Sequence, residues 1–479
     1  MNKSVHYLFT GLIALCPLHL QALEVTGGLT HHQVLQCDDD GTADFALTGS
    51  AVTAGSLEAQ VVGVQKTIVP WTPIGEGNTS WNATLNDVPV GGPYRVDLRI
   101  VVDGAPVEET SIFDVLVGDV WVLAGQSNMQ GVGDRHDEDT PDPQVHTFSM
   151  SYEWRLAQEP LHTLPESPDP VHFDQNKSAE EREKEIVNWR DGTKGTGLGL
   201  PFAKEMLRRT GRPVGLIASA HGGTSMGQWN PELKDQGGAS LYGSMLQQVA
   251  AAGGKVRGVL WYQGESDANP DATPIFPAGL RALIAAMRAD FGNPDLPFYQ
   301  VQIGRVVLGW NPNSWDAIQT AQLALETDVP HTGTVSAIDL ETDDAIHIST
   351  PGLKTLGYRL ANLAEADLFG GTTLVGPRYE SMTRNGLQLY VKFSGVNDRL
   401  LAEGRPNGFS ISAGPDGDAP QSIYKVEMDP NDPTVLILFT NNQLPENPHL
   451  WYGRGIDPYC NIVDEAQMGM PVFGPVPLP

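Results

Sequence analysis

Asp119-Val120-Trp121-Val122-Leu123-Ala124-Gly125-Gln126-Ser127-Asn128-Met129 is the stretch on which the reading of this chain turns. From Val120 to Ala124 the run is apolar without interruption and stops at a glycine. That is the pattern of a strand buried on both faces and cut short by a turn. Runs of the same kind recur at Pro213 to Ala218, Val256 to Tyr262, Pro297 to Ile303 and Gly333 to Ile338. Between them lie stretches of helical periodicity: Leu200 to Arg209, Leu241 to Ala252, Phe276 to Phe291, Ser314 to Glu326 and Gly352 to Leu368. Strands alternating with helices of that length predict an α/β domain with a parallel sheet covered on both faces. In such sheets ligands bind beyond the carboxyl ends of the strands.

Working outward, the text on both sides is β. From residue 23 to 116 short alternating runs, among them Phe45-Ala46-Leu47 and Tyr94 to Val101, are punctuated by Gly, Asn and Asp. After residue 370 the β pattern returns with Leu387 to Phe393, Gly408 to Ile411 and Thr434 to Phe439. The expected organisation is a β-sandwich part over 23–116, an α/β part over 117–370 and a β-rich part over 371–479. The stretch from Met129 to Asn188 shows few elements and many Asp, Glu and Pro. It reads as loops around the mouth of a site.

Residues 1–22 have the composition of a secretory signal. Lys3 precedes an apolar run from Tyr7 to Cys16, and Leu20-Gln21-Ala22 offers a small residue at a cleavage position. The run is too short to span a bilayer, and no later segment approaches about 20 uninterrupted apolar residues. A secreted or periplasmic location is expected. Removal of Cys16 would leave Cys37 and Cys460, which in an exported chain are candidates for a disulfide; two separate buried thiols are the alternative.

The formal net charge is −28, from 58 acidic and 30 basic residues. Such a surface repels nucleic acid and acidic membranes. No His-x-x-x-His or Cys-x-x-Cys occurs, so no metal site is expected, and nucleotide fingerprints are missing. No cofactor is anticipated. The sequence leaves the oligomeric state open.

Candidate chemistry sits just past the strand ends. Ser127 follows Gly125-Gln126 at a strand-to-helix turn, which exposes a hydroxyl and turns backbone N–H groups toward an incipient oxyanion. Gly222-Gly223 after Ala218 lets the backbone approach a substrate, with Gly223 N–H as a candidate donor. Gln263 in Tyr262-Gln263-Gly264-Glu265-Ser266-Asp267 is a side-chain amide able to donate without adding charge, and Glu265 an acid able to orient its neighbours. Asp344-Ala345-Ile346-His347 places a carboxylate three residues before an imidazole, close enough to fold back on it. Asp343 is the alternative acid, and His221 the only rival base. Taken singly, each of these has a plain structural explanation as a cap or tight turn. Their joint occurrence in the order Ser, Asp, His predicts acyl transfer through a serine nucleophile.

At these blocks the sequence resembles the sialate O-acetylesterase family, within the SGNH-hydrolase superfamily of carbohydrate acetylesterases. Gly118-Asp119-Val120-Trp121 with Gly125 to Met129 resembles its nucleophile block, and Pro213 to Ile217 with Gly222-Gly223-Thr224 its glycine block. Trp261 to Asp267 resembles its third block, and His347 with Lys354, Gly357 and Arg359 its histidine block. Val34-Leu35-Gln36, Gly91 to Tyr94 and Gly455 to Pro458 extend the likeness to both β parts.

The resemblance implies a flavodoxin-like SGNH domain with Ser127 as nucleophile, His347 as base and Asp344 as its acid. Ser127 N–H, Gly223 N–H and Gln263 would form the oxyanion hole, and an O-acetylated carbohydrate would be the substrate. Asn128, Glu265, Arg135 and Arg190 are candidate substrate contacts, the two arginines as partners for a sialic acid carboxylate. The segment Asp344-x-x-His347 followed by Ser349-Thr350-Pro351-Gly352 is more similar to plant-type and xylan acetylesterases. The rival readings are therefore an acetylxylan-type esterase and a non-catalytic carbohydrate-binding protein on the same fold.

Overall fold

The computed structural model describes residues 23–307 and 309–479, so the expected signal peptide over 1–22, with Cys16, lies outside the described residues. The chain forms two compact units. One is built from the residues up to Leu29 together with Asp44–Asn86 and Val96–Ile112. The other comprises Thr30–Ala43, Asp87–Arg95 and Phe113–Pro479.

The first unit is β throughout. Along Thr42–Ser50, side chains alternate between buried and exposed, with Phe45 and Leu47 turned inward. Gly55–Val62 pairs antiparallel with Thr67–Gly77 and likewise turns Leu57, Ala59 and Val61 inward. A period of two against one apolar layer is what fixes register in such sheets.

The second unit carries the parallel sheet. The strands of that sheet in chain order are β1 (Ala105–Gly125, which enters the second unit at Phe113), β2 (Val145–Phe148), β3 (Trp154–Leu156), β4 (Val214–Ala218), β5 (Gly258–Tyr262), β6 (Phe298–Gln302) and β7 (Thr332–Ser336). They lie in the order β3-β2-β4-β1-β5-β6-β7. Every neighbouring pair is parallel except β3, which folds back antiparallel on β2. The helices are α1 (Ser127–Gln130), α2 (Ala179–Arg190), α3 (Gly199–Thr210), α4 (Leu241–Ala252), α5 (Phe276–Asp290), α6 (Pro312–Asp328) and α7 (Thr350–Leu368). Trp121, in the carboxyl-terminal part of β1, packs edge-on to Phe202 of α3 and against Tyr299 of β6, inside one continuous apolar core.

The strands and long helices fall where the apolar runs place them. The stretch expected to be loops differs, since it holds β2, β3 and α2. β2 escapes a hydropathy reading because Val-His-Thr-Phe is half polar yet wholly buried. Its polar groups are matched across the sheet: His146 Nδ1 lies 2.7 Å from His32 O, and Thr147 Oγ1 donates to Leu216 O at 3.1 Å. Helix α2 has no buried residue and is held by a Ser178–Glu181 capping box.

Beyond α7 the same unit continues as antiparallel sheets. Arg378–Asn385, Gln388–Ser394, Val435–Thr440 and Ile423–Met428 make one, and Phe409–Ala413, Pro448–Tyr452 and Phe473–Pro477 another. Leu389, Val391, Leu436 and Leu438 share a second apolar core with Tyr452 and Phe473.

Of the two alternatives for the cysteines, the structure has the separate buried thiols: Cys37 and Cys460 are both free and buried. Each belongs to its own surroundings. Cys37 Sγ sits 2.8 Å from Arg212 Nη2, and Cys460 is packed in the C-terminal core, where burial drives its thiol pKa upward.

Candidate active site

The carboxyl end of β1 meets that of β5, with Gly125 opposite Tyr262. Gly125 has φ +133°, and a Cβ there would lie 2.2 Å from the Tyr262 carbonyl oxygen. Only glycine permits so close an approach, and it turns the chain sharply into α1. Ser127 opens that helix. Its Oγ lies 3.0 Å from His347 Nε2, and His347 Nδ1 lies 2.8 Å from Asp344 Oδ2. The other Asp344 oxygen accepts from the backbone N–H groups of Ile346 and His347, each at 2.9 Å.

Burial alone would raise the Asp344 pKa. The His347 ring and those two amides outweigh it and hold the carboxyl down at about 2. A carboxylate accepting from Nδ1–H puts the neutral ring's proton there and leaves Nε2 free to accept from the serine hydroxyl. Asp343, the alternative acid, faces elsewhere: its carboxylate accepts from Asp134 N at 2.9 Å. The rival base is engaged too. His221 Nδ1 lies 3.0 Å from His172 Nδ1, and burial depresses the His221 pKa.

The glycine pair lies against the nucleophile. His221 N–H donates to Gly125 O at 3.0 Å, and Gly222 N–H donates to Gln130 Oε1 at 2.8 Å. Gly223 has φ +71° with open space around its α-carbon. Among the described residues the N–H groups of Ser127 and Gly223 have no acceptor, and both residues line a cavity of about 380 Å³ that also holds His347.

A serine hydroxyl, an imidazole oriented by a carboxylate and free amides at one cavity make an arrangement suited to acyl transfer. A family model described as carbohydrate esterase, sialic acid-specific acetylesterase, matches residues 117–365, which contain all of these groups. The chain belongs to this family. It is a carboxylic ester hydrolase that acts on O-acetyl groups of carbohydrates.

Among relatives of this esterase, a probable carbohydrate esterase of Arabidopsis thaliana is 28% identical over 264 residues, covering 50% of this chain and 88% of the relative. The sialate O-acetylesterase of Rattus norvegicus is 24% identical over 434 residues, covering 75% and 77%. A solved carbohydrate acetylesterase from Xanthomonas citri superposes with a TM-score of 0.66 at 22% identity, covering 94% of this chain and 99% of that one, which establishes a shared fold.

Several residues singled out from the esterase's sequence have other work. Gln263 is fully buried and does not reach the cavity. Its Nε2 donates to Thr224 O at 3.1 Å and to Asp267 Oδ2, so the amide supports the glycine loop from beneath and is not free for an oxyanion. Gln263→Leu is therefore expected to keep kcat on an activated ester within about tenfold of wild type, where a direct oxyanion donor would lose about 10²–10³. Its main effect is a lower melting temperature, since it strands buried polar partners at about 1–3 kcal/mol. Steady-state kinetics beside a thermal melt checks both.

Asn128 is not a substrate contact. It is buried, its Nδ2 donates to Glu265 Oε1 at 2.8 Å, and its Oδ1 accepts from Ile348 N at 3.0 Å. It thus ties the nucleophile helix to the histidine loop. Glu265 does line the cavity; burial raises its pKa, and its second oxygen has no partner among the described residues. Arg135 and Arg190 are spent away from the cavity. Arg135 Nε pairs with Glu138 at 2.6 Å, and Arg190 Nε with Glu166 at 2.8 Å.

Residues not anticipated complete the site. Gln126 lines the cavity and accepts, through Oε1, long bonds from Gly264 N and Ser266 N, each at 3.4 Å. Gln130 fixes Gly222, and Trp189 and Trp310 form part of the cavity wall. Gln130 has a sequence signal, since a side chain three residues after Ser127 lies on the same side of a helical turn. The two tryptophans have none.

Proposed function

We propose that this esterase removes acetyl groups from sugars through an acetyl-enzyme on Ser127. The observation that carries the reading is the unbroken chain Ser127 Oγ, His347 Nε2, His347 Nδ1, Asp344 Oδ2, at 3.0 and 2.8 Å. Ser127 Oγ attacks the ester carbonyl as its proton passes to His347 Nε2. The carbonyl oxygen becomes an oxyanion held by the N–H groups of Ser127 and Gly223. Collapse expels the sugar oxygen, which takes the proton from His347, and the acetyl group stays on Ser127. A water then attacks the acetyl carbonyl with His347 again as base, releasing acetate and restoring the hydroxyl.

We read the parallel-sheet part as a flavodoxin-like SGNH domain over 117–370, with β-sandwich parts over 23–116 and 371–479. We read residues 1–22 as a signal that sends the enzyme to the periplasm or outside the cell. The relatives named sialate O-acetylesterase make O-acetylated sialic acid one substrate class, and acetylated plant polysaccharide is the other.

Labelling with a fluorophosphonate tests the reading. Mass spectrometry is expected to find one phosphonylated peptide, modified at Ser127, with acetate release falling in step. Labelling at another residue, or none at all, overturns the reading; the absence of labelling is the outcome a purely sugar-binding protein gives.

A further inference from the structure

The cavity over Ser127 has aromatic walls and no basic one. Trp189 enters from the last turn of α2 and Trp310 from the segment before α6, and among the described residues no lysine or arginine lines the cavity. Arg135 and Arg190 are held in their ion pairs. Lys194, on the side of the histidine loop, lies 2.7 Å from Asp134 and 3.9 Å from Asp343. The acid in the wall, Glu265, is buried with an unmatched oxygen. A sugar carboxylate brought here would lose water without gaining a counter-ion. The C–H face of an uncharged pyranose would instead cover an indole ring and shed water from apolar surface on both sides.

We propose that Trp189 and Trp310 are specificity-determining residues of this esterase, and that they select acetyl esters on uncharged pyranose rings over esters on carboxylate-bearing sugars. This rests on the acetyl-enzyme reading of the same cavity. The two walls differ in how they are held. Trp310 Nε1 donates to Glu265 O at 2.9 Å, and its ring meets Trp315 edge-on at 5.8 Å, which fixes it. Trp189 sits on a helix with no buried residue, and its indole N–H has no acceptor among the described residues. Trp310 is the rigid face, and Trp189 the one that adjusts to the ring presented.

The test measures kcat/KM for wild type and for Trp189→Ala, Trp310→Ala, Trp189→Phe and Trp310→Phe. The substrates are an acetylated methyl xyloside, O-acetylated N-acetylneuraminic acid and ethyl acetate, which has no ring. Wild type is expected to favour the xyloside over the sialic acid ester by about tenfold or more, and each Ala variant to lower the xyloside-to-ethyl acetate ratio by about tenfold, mainly through KM. The ratio cancels any unfolded fraction. The Phe variants, which keep a stacking face, should recover most of it. Equal or better turnover of the sialic acid ester overturns the proposal. So does an unchanged ratio in the Ala variants, or Phe variants as poor as Ala. None of these touches the acetyl-enzyme reading, which fails separately if Ser127→Ala still hydrolyses ethyl acetate.

Discussion

Ser127→Ala is expected to cut acetate release from an activated ester by about 10⁴–10⁶-fold, leaving only the catalysis that substrate binding and oriented amides supply. Without Oγ no acetyl-enzyme can form, and His347 has nothing to deprotonate except water held less favourably. The fold should be indifferent to the change. Ser127 Oγ bonds to His347 Nε2, on a partly exposed ring, so the melting temperature should move little. A burst experiment checks both halves: wild type releases a stoichiometric pulse of leaving group if deacetylation is slow, and the variant releases none. Activity within tenfold of wild type would remove Ser127 from the mechanism.

Asp344→Asn is expected to lower kcat/KM by about 10³–10⁴, whereas Asp343→Asn should stay within about threefold. The asparagine Oδ1 can still accept from the Ile346 and His347 amides, so the loop should survive. What changes is the proton. An amide NH₂ facing Nδ1 favours the tautomer carrying hydrogen on Nε2, and that nitrogen can no longer accept from Ser127. Asp343 faces the Asp134 amide and Lys194, away from the ring. Kinetics on the pair of variants, with circular dichroism to confirm folding, decides between the adjacent acids.

What could be read from the sequence divides along a physical line. β1, β4 and β5 announce themselves because a strand buried on both faces is largely apolar; β6 and β7 give a weaker signal, since Gln300, Gln302, Thr334 and Ser336 are buried within them. Ser127, Asp344 and His347 announce themselves because the roles proposed for them depend on local geometry, a strand-to-helix turn and a three-residue span that folds back on itself. The misassigned residues are those whose polar groups are taken up by other protein groups. Gln263 is an amide with Thr224 and Asp267 beside it, Asn128 is spanned by Glu265 and Ile348, and Arg190 is neutralised by Glu166, which spacing does not reveal; Arg135 instead pairs with Glu138 three residues on, a partner the sequence does offer. β2 was hidden for the same reason, since His146 and Thr147 are silent only once His32 and Leu216 are in place.

The base and its acid share one short loop, from Glu341 to Ser349. That loop is closed on itself by Asp343 N–H to His347 O at 2.8 Å and Ser349 N–H to Glu341 O at 2.9 Å. The nucleophile instead rides the central strand. Asp344 and His347 are therefore a preassembled cassette, seated on the nucleophile's helix at two points, His347 Nε2 to Ser127 Oγ and Ile348 N–H to Asn128 Oδ1, each at 3.0 Å. The pairing of acid and base is thus set inside the loop, and its placement against the nucleophile is set by bonds from one short helix, so a substitution in that helix disturbs the seating of the pair before it disturbs the pair itself.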